Sequence, residues 1–396
     1  MELSKRNISL GSPPYSSKDW RKSKFSNSKA TINVGTLFSG IGAVEQALKK
    51  WKLKHNIVFA GDIDEHVKKS YLNNYKIDED AWHSDVTKFL TTPSEIKKYK
   101  GKVDLIVGGS PCQSFSMVGK RGGFDDTRGT LFHEFVRVIR AVQPKVFIYE
   151  NVKGLLSHDD GETWRIVQKQ FKLLKYKTFS MVLNSRDYGI PQNRERIFVV
   201  GFKDSTAEML TPRPLELENR MQDFLEDSID SKYYLKEKGI NFVTSEKNQS
   251  KKYTQINGTV ALCQKANQQF NWHGDFIFEK KKVDEKYYLS DKVKKYVLAG
   301  GTKNFSTSTK TDLPIARPLV STMHKMHRAG VDNYVTHNGG RIRKLTPREC
   351  LRLMGFRDDF AIHVSDTQMY RQAGNSIVVD VLMALLKEID ITKYGR

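Results

Sequence analysis

V-D-L-I-V-G-G-S-P-C-Q-S-F-S-M-V-G-K, from Val103 to Lys120, carries an apolar run, a glycine pair and a cysteine in close succession. It begins as a short apolar run, Val103 to Val107 with Asp104 inside it, and closes on Gly108-Gly109. A run this short, bounded by glycines, predicts a buried strand rather than a helix. Ser110-Pro111 then turns the chain and presents Cys112 just past the strand's carboxyl end, the edge where open α/β sheets bind ligands. A cysteine there is a candidate nucleophile, with Gln113, Ser114 and Ser116 as polar neighbours. Taken alone, a cysteine reads first as a small buried hydrophobe. Here Pro111 before it and a glycine-rich polar loop after it favour the reactive reading.

Downstream, Gly119 to Phe132 carries four glycines among mixed charges and predicts a mobile loop. Arg121 and Arg128 in it suit phosphate contact, against the alternative of a solvated charge run. A helix is expected over Leu131 to Val142, then Pro144 and a strand over Val146 to Tyr149. That strand delivers Glu150-Asn151-Val152 to the same edge as Cys112, so a carboxyl and a thiol can face one substrate. Strands are also expected over Phe179 to Leu183 and Arg196 to Phe202. Between them Gln192, Arg194 and Arg196 alternate, and period-two spacing puts the two arginines on one face. They suit a base carbonyl and a phosphate, or simply a charged edge strand.

Upstream, Thr31 to Phe38 reads as a strand, Ser39 to Gly42 as a glycine turn and Ala43 to Lys50 as an amphipathic helix. This is the opening βα unit of a nucleotide-type cofactor site, although only Gly40 and Gly42 of the usual glycine pattern are present. The run Asn56 to Ala60 ends in Gly61-Asp62-Ile63-Asp64, placing Asp62 to bind ribose hydroxyls and Ile63 to cover an adenine face. Asp85 in Ser84-Asp85-Val86-Thr87 suits the adenine amino group, with the Val86 backbone alongside. Each acid by itself is a surface charge or helix cap. Their order after a glycine turn favours the ligand role.

At 396 residues the chain predicts two domains, or one with a large insertion. Lys and Arg number 66 against 45 Asp and Glu, and the net charge of +21 favours a polyanionic partner, nucleic acid first. Three scattered cysteines, Cys112, Cys263 and Cys350, make no disulfide framework. His324 and His327 are close but lack an acid or thiol partner, so no metal site is expected. No apolar run is long enough for a signal peptide or membrane helix, and a cytosolic protein is expected. Residues 1–30, rich in Ser, Lys, Arg and Asn, are expected to form a flexible basic arm.

Taken together, S-P-C-Q at 110–113, E-N-V at 150–152, Q-N-R-E-R at 192–196, F-S-G-I-G at 38–42, R-K-L-T-P-R-E-C-L-R-L-M-G-F at 343–356 and Q-A-G-N-S-I at 372–377 resemble DNA (cytosine-5) methyltransferases of the bacterial restriction-modification type. The motifs stand in the family's order over nearly all of the folded chain. One departure is Asp62-Ile63, where the family commonly has Glu followed by an aromatic.

The resemblance implies an α/β fold, a Rossmann-like S-adenosylmethionine-dependent methyltransferase sheet with an inserted smaller target-recognition domain. It implies a large domain at 31–204, the small domain at 205–365 and a C-terminal return at 366–396, with a helix from Ala373 to Ile389 completing the large domain. Cofactor contacts would come from Phe38, Ser39, Gly40, Ile41, Gly42, Asp62, Ile63, Asp85, Val86, Ser110, Pro111, Leu131, Asn375 and Ser376. The cofactor would be S-adenosylmethionine, leaving as S-adenosylhomocysteine, with no metal. Double-stranded DNA would be held by Gln113, Ser116, Arg121 and Arg128, and by Thr322, His324, Lys325, His327 and Arg328 in the donor-rich stretch Arg317 to Tyr334.

In the mechanism so implied, Cys112 adds to cytosine carbon 6, Glu150 serves ring N3 and the exocyclic amine, and Arg196, with Arg194, holds the base O2. The target base must leave the duplex, and the loop after Cys112 would close over it. A partner restriction endonuclease, a monomeric state and a prokaryotic cytoplasm complete the expectation. Three rivals compete with it. An RNA cytosine-5 methyltransferase would share the catalytic set, but the insertion at 205–335 fits duplex recognition better. A dinucleotide dehydrogenase leaves Cys112 and Glu150 unexplained, and a non-catalytic DNA-binding regulator does not need them.

Overall fold

The structure is a computed structural model, and it describes residues 8–9, 19–111, 131–226, 230–266, 271–280, 292, 295–296, 301–302, 305–306, 340–344 and 346–396. Cys112, Gln113, Ser116, Arg121, Arg128, Thr322, His324, Lys325, His327 and Arg328 lie outside them.

Seven strands form the central sheet: β1 (Ile8–Ser9), β2 (Thr31–Leu37), β3 (Lys54–Phe59), β4 (Leu105–Gly108), β5 (Val146–Val152), β6 (Lys177–Asn184) and β7 (Glu195–Phe202). Their spatial order is β1-β6-β7-β5-β4-β2-β3. Strands β3, β2, β4 and β5 run parallel, whereas β7 is antiparallel to both β5 and β6. From β2 the chain moves outward to β3 and then returns to β4 on the other side of β2. The carboxyl ends of β2 and β4 therefore flank a topological switch point, where such sheets open a crevice.

The central strands are apolar because both faces are covered. All four residues of β4 are buried. Asp104, just before it, is fully buried but satisfied: it accepts from Asn33 N at 2.9 Å and lies 2.9 Å from the Lys145 ammonium. On one face Phe132, Phe135, Phe147, Tyr149 and Phe171 interlock, with Phe135 and Tyr149 ring centroids 5.2 Å apart. The helix Leu131–Val142 lies where the sequence predicts it.

Three expectations are corrected. The strand expected over Val146 to Tyr149 continues to Val152, so Glu150 lies within β5, opposite Phe198 of β7. The single helix expected over Ala373 to Ile389 is two, Asp366–Asn375 and Val379–Glu388, because Ser376 and Val378 take extended backbone between them. The arm expected over 1–30 is in part built into the fold. Ile8–Ser9 pairs with Ser180–Met181, Trp20 and Phe25 pack on Trp51 with centroids 5.8 and 5.0 Å away, and Ser26 N donates to Asp390 at 3.1 Å.

The chain divides into one compact unit of Met1–Ile229, Phe242–Asp275 and Leu345–Arg396 and a smaller one of Asp230–Asn241 and Phe276–Lys344. The flanking segments belong to the large unit for a visible reason. Gln192 Nε2 donates to Leu353 O at 2.8 Å and its Oε1 accepts from Gln264 N at 3.0 Å. In the smaller unit, Gly340–Lys344 pairs antiparallel with the strand ending at Lys280, Phe276 opposite Lys344. Among the described residues no helix is long and apolar enough to cross a membrane.

Candidate active site

The glycine turn after β2 is zipped to the end of β3. Ser39 N donates to Gly61 O at 2.9 Å, and Ser39 Oγ accepts from Gly61 N at 2.8 Å. Phe38, Gly40 and Gly42 all have positive φ, at 53°, 53° and 77°, which brings the turn round tightly enough to meet Asp62. One Asp62 oxygen accepts from Gly40 N and the other from Asp64 N, each at 3.1 Å. Burial pushes the Asp62 carboxyl above its ordinary pKa, and the backbone N–H groups oppose that shift. Ile63 beside it is 78% exposed, a large apolar side chain without cover. Asp85 caps a short turn, accepting from Thr87 N at 3.0 Å and Thr87 Oγ1 at 2.7 Å, and these bonds hold its carboxyl below the usual range.

At the ends of β4 and β5 a polar lattice ties Ser110 to Tyr149 and Asn151. Ser110 Oγ and Tyr149 OH are 2.8 Å apart. Asn151 Nδ2 donates to Tyr149 OH at 2.8 Å and to Ser110 O at 3.0 Å. The sequence reading assigned neither Tyr149 nor Asn151 a role. The available signal was an amide placed beside Glu150 in an otherwise apolar strand.

Glu150 meets Arg196 with Nε and Oε1 3.1 Å apart, at only 17% and 13% side-chain exposure for the arginine and the glutamate. Burial raises the Glu150 pKa, and the Arg196 and Arg194 charges pull it back only in part. The raised direction is the one that suits a carboxyl to general-acid work. Arg196 Nη1 donates to Glu195 O at 2.8 Å. Arg194 is otherwise engaged: its Nη1 donates to Gln264 O at 2.9 Å, and its Nη2 to Gly374 O and Ser376 O at 3.0 and 2.8 Å. Burial lowers Arg194 to about 10, still charged at neutral pH. The two arginines expected on one face are thus one paired with Glu150 and one that ties three chain segments together.

One cavity of about 880 Å³ joins these parts. Phe38, Gly40, Asp62, Ile63, Asp85, Val86, Ser110, Pro111, Leu131 and Asn375 line it from the expected cofactor set, together with Glu150, Arg194 and Arg196. Ser39, Ile41, Gly42 and Ser376 are not among its walls. Ile41 is fully buried, and the Ser376 carbonyl serves Arg194. His83, Phe89, Arg371 and Gln372 also line the cavity and were not foreseen. Among the described residues, no group of three or more His, Cys, Asp or Glu is placed to hold a metal.

A crevice at a switch point, lined by an acid, an uncovered apolar side chain and a buried carboxyl–guanidinium pair, is the arrangement of an α/β enzyme that works on ligands at the sheet's carboxyl edge. The chain belongs to the C-5 cytosine-specific DNA methylase family, whose pattern it matches over residues 32–390. It is 33% identical to the Type II methyltransferase M.HpaII of Haemophilus parainfluenzae, covering 91% of this chain and 89% of that one. Similarity to M.SsoII of Shigella sonnei is also 33%, over 92% and 81%. The orphan methyltransferase M.SPRI of Bacillus phage SPR is 30% identical over 92% and 99%. Among solved structures, the S. pombe Dnmt2 methyltransferase superposes with a TM-score of 0.59 at 20% identity, covering 90% and 97%, a likeness of fold. The enzyme is a DNA (cytosine-5) methyltransferase with an S-adenosylmethionine-dependent methyltransferase fold.

Proposed function

We propose that the protein methylates carbon 5 of a cytosine swung out of duplex DNA, with Cys112 as the nucleophile that activates the ring. One observation carries this reading: the buried Glu150–Arg196 pair opens into the same cavity as Asp62 and Ile63. The residues fit S-adenosylmethionine. Asp62 suits the ribose hydroxyls, Ile63 an adenine face, and the cavity of about 880 Å³ is ample for the cofactor and a base side by side. Bound, the cofactor supplies an electrophilic methyl group on a sulfonium.

Carbon 5 of cytosine is too poor a nucleophile to take that methyl unaided. In the proposed mechanism the Cys112 thiolate adds at carbon 6 and pushes electron density toward N3 and O2. Glu150, its proton favoured by burial, serves N3 as charge develops there, while Arg196 holds O2. Carbon 5 thereby gains enamine character. Loss of its proton after transfer expels Cys112 and restores the aromatic ring. Arg194 acts from behind, holding the Gln264 and Gly374–Ser376 backbone in place. Extruding the base costs roughly a few kcal/mol, and the +21 net charge favours the phosphate contacts that offset it.

The relatives named Type II favour pairing with a restriction endonuclease of the same specificity; a prokaryotic cytoplasm and a monomeric state complete the proposal. Residues 205–335, outside the catalytic motifs, are the proposed seat of sequence recognition, including Thr322, His324, Lys325, His327 and Arg328. The test is bisulfite sequencing of plasmid DNA from cells expressing the protein, with 5-fluorocytosine duplexes as a trap for the covalent adduct. Protected cytosines in one sequence context, and a denaturation-stable adduct lost in Cys112→Ser, are expected. Uniform bisulfite conversion, or an adduct that survives Cys112→Ser, would overturn the reading.

A further inference from the structure

Beneath the glycine turn lies a buried polar cluster that the proposed chemistry does not use. The helix Ala43–Lys50 brings Glu45 and Gln46 under the turn, and Glu65–Asn74 with its cap brings Tyr71 and Tyr75, four residues apart, against them. Tyr71 OH donates to Glu45 Oε1, and burial raises the Glu45 pKa. Tyr75 OH lies 3.0 Å from Ile41 O and 2.9 Å from Gly42 O, and it accepts from Gln46 Nε2 at 3.2 Å. The ring is as closely fitted as the hydroxyl. A Cβ on Gly42, whose φ is +77°, would stand 2.2 Å from the Tyr75 ring. Tyr71 is braced in turn by Tyr75 and Trp82, with centroids 4.7 and 5.1 Å away.

From this we infer that Tyr75, oriented by Gln46, is a positioning residue for the cofactor. Its one hydroxyl proton is shared between the Ile41 and Gly42 carbonyls, which fixes the turn so that its Phe38–Gly40 side stays open toward Asp62. Gly40 N can donate to Asp62 only while the turn keeps its left-handed course. Residues that never enter the cavity thereby set the orientation of the ribose-facing carboxylate. The inference rests on the cofactor reading above and extends it to a second layer, which accounts for why Ile41 and Gly42 sit in the motif without lining the cavity.

The test is calorimetric titration of S-adenosylhomocysteine into wild type, Tyr75→Phe and a control, Tyr176→Phe. The control also loses a hydroxyl donating to a carbonyl, Pro144 O at 2.6 Å, but does not line the cavity. Tyr75→Phe should bind about fivefold to tenfold more weakly, the scale of one lost hydrogen bond, while Tyr176→Phe binds as wild type does. In turnover, Tyr75→Phe should raise KM for the methyl donor and leave kcat at saturation. Gln46→Leu, which removes only the donor that orients Tyr75, should move affinity the same way and covers the case of a poorly folded Tyr75→Phe. Equal affinity in Tyr75→Phe and wild type, or equal losses in Tyr75→Phe and Tyr176→Phe, would overturn the inference. Wild-type protein without affinity for S-adenosylhomocysteine would overturn the cofactor reading itself.

Discussion

Gly109→Ala places a single methyl group against the proposed catalytic carboxyl. A Cβ on Gly109 would stand 2.8 Å from Glu150 Oε2 and 2.9 Å from the Glu150 carbonyl oxygen. The backbone there cannot retreat freely, because Glu150 is paired with Phe198 in the sheet. The carboxylate must therefore move by about half an ångström to reach ordinary contact, at the about 1–3 kcal/mol typical of an overpacked methyl. That movement strains the 3.1 Å contact between Glu150 and Arg196. Displacement on this scale in a reacting geometry costs roughly tenfold to a hundredfold in rate.

The assay is single-turnover methyl transfer at saturating cofactor, with thermal unfolding and S-adenosylhomocysteine affinity measured in parallel. The rate should fall by roughly tenfold to a hundredfold. Affinity should hold, because Asp62 and the glycine turn are not touched. Glu150→Gln keeps the shape but cannot deliver a proton to N3, and should lose roughly a hundredfold or more. In that background Gly109→Ala should cost much less than it does alone, since both changes act on one group. A folded Gly109→Ala protein turning over at the wild-type rate would refute the argument, as would full additivity of the two substitutions.

Cys112→Ser should abolish methyl transfer while leaving S-adenosylhomocysteine affinity nearly unchanged, because a hydroxyl is far less nucleophilic than a thiolate at neutral pH; activity within tenfold of wild type would remove Cys112 as nucleophile. Arg194→Lys should destabilise by about 3 kcal/mol or more, measured by denaturant unfolding, since one ammonium cannot reach the three carbonyls of Gln264, Gly374 and Ser376. Asp275 is buried and pushed up to about 7, against the hydrogen bonds it accepts from Leu262 N and Gln255. The folded state therefore keeps a proton that the unfolded chain releases near 3.8, so stability from this group is present at low pH and is lost as pH rises toward about 7. Asp275→Asn should flatten that part of the stability profile, and an unchanged slope between those limits would show that Asp275 is ionised in the fold.

The sheet and its chemical edge were legible because short apolar runs bounded by glycines carry a strand signal that needs no tertiary information. Val103–Gly109 and Thr31–Phe38 are of this kind, and the helix after Leu131 repeats its apolar side chains at helical spacing. Less legible was what each polar residue does with its hydrogen bonds. Arg194 and Arg196 share a face in the sequence pattern, yet one is consumed by carbonyls from segments 70 and 180 or more residues away. No local rule announces such partners. For the same reason the sequence pattern does not announce that Gln264, within the insertion, is bound by Gln192 and Arg194. The N-terminal stretch misled through its composition. Basic and polar residues predict a solvated arm, and the countersignal was two aromatics, Trp20 and Phe25, which have reason to be ordered only because Trp51 stands ready to receive them. The motif F-S-G-I-G shows the same division within five residues. Gly40 meets Asp62 and was legible from its spacing, whereas Gly42 is required by the Tyr75 ring, from another helix, which no reading along the chain could have supplied.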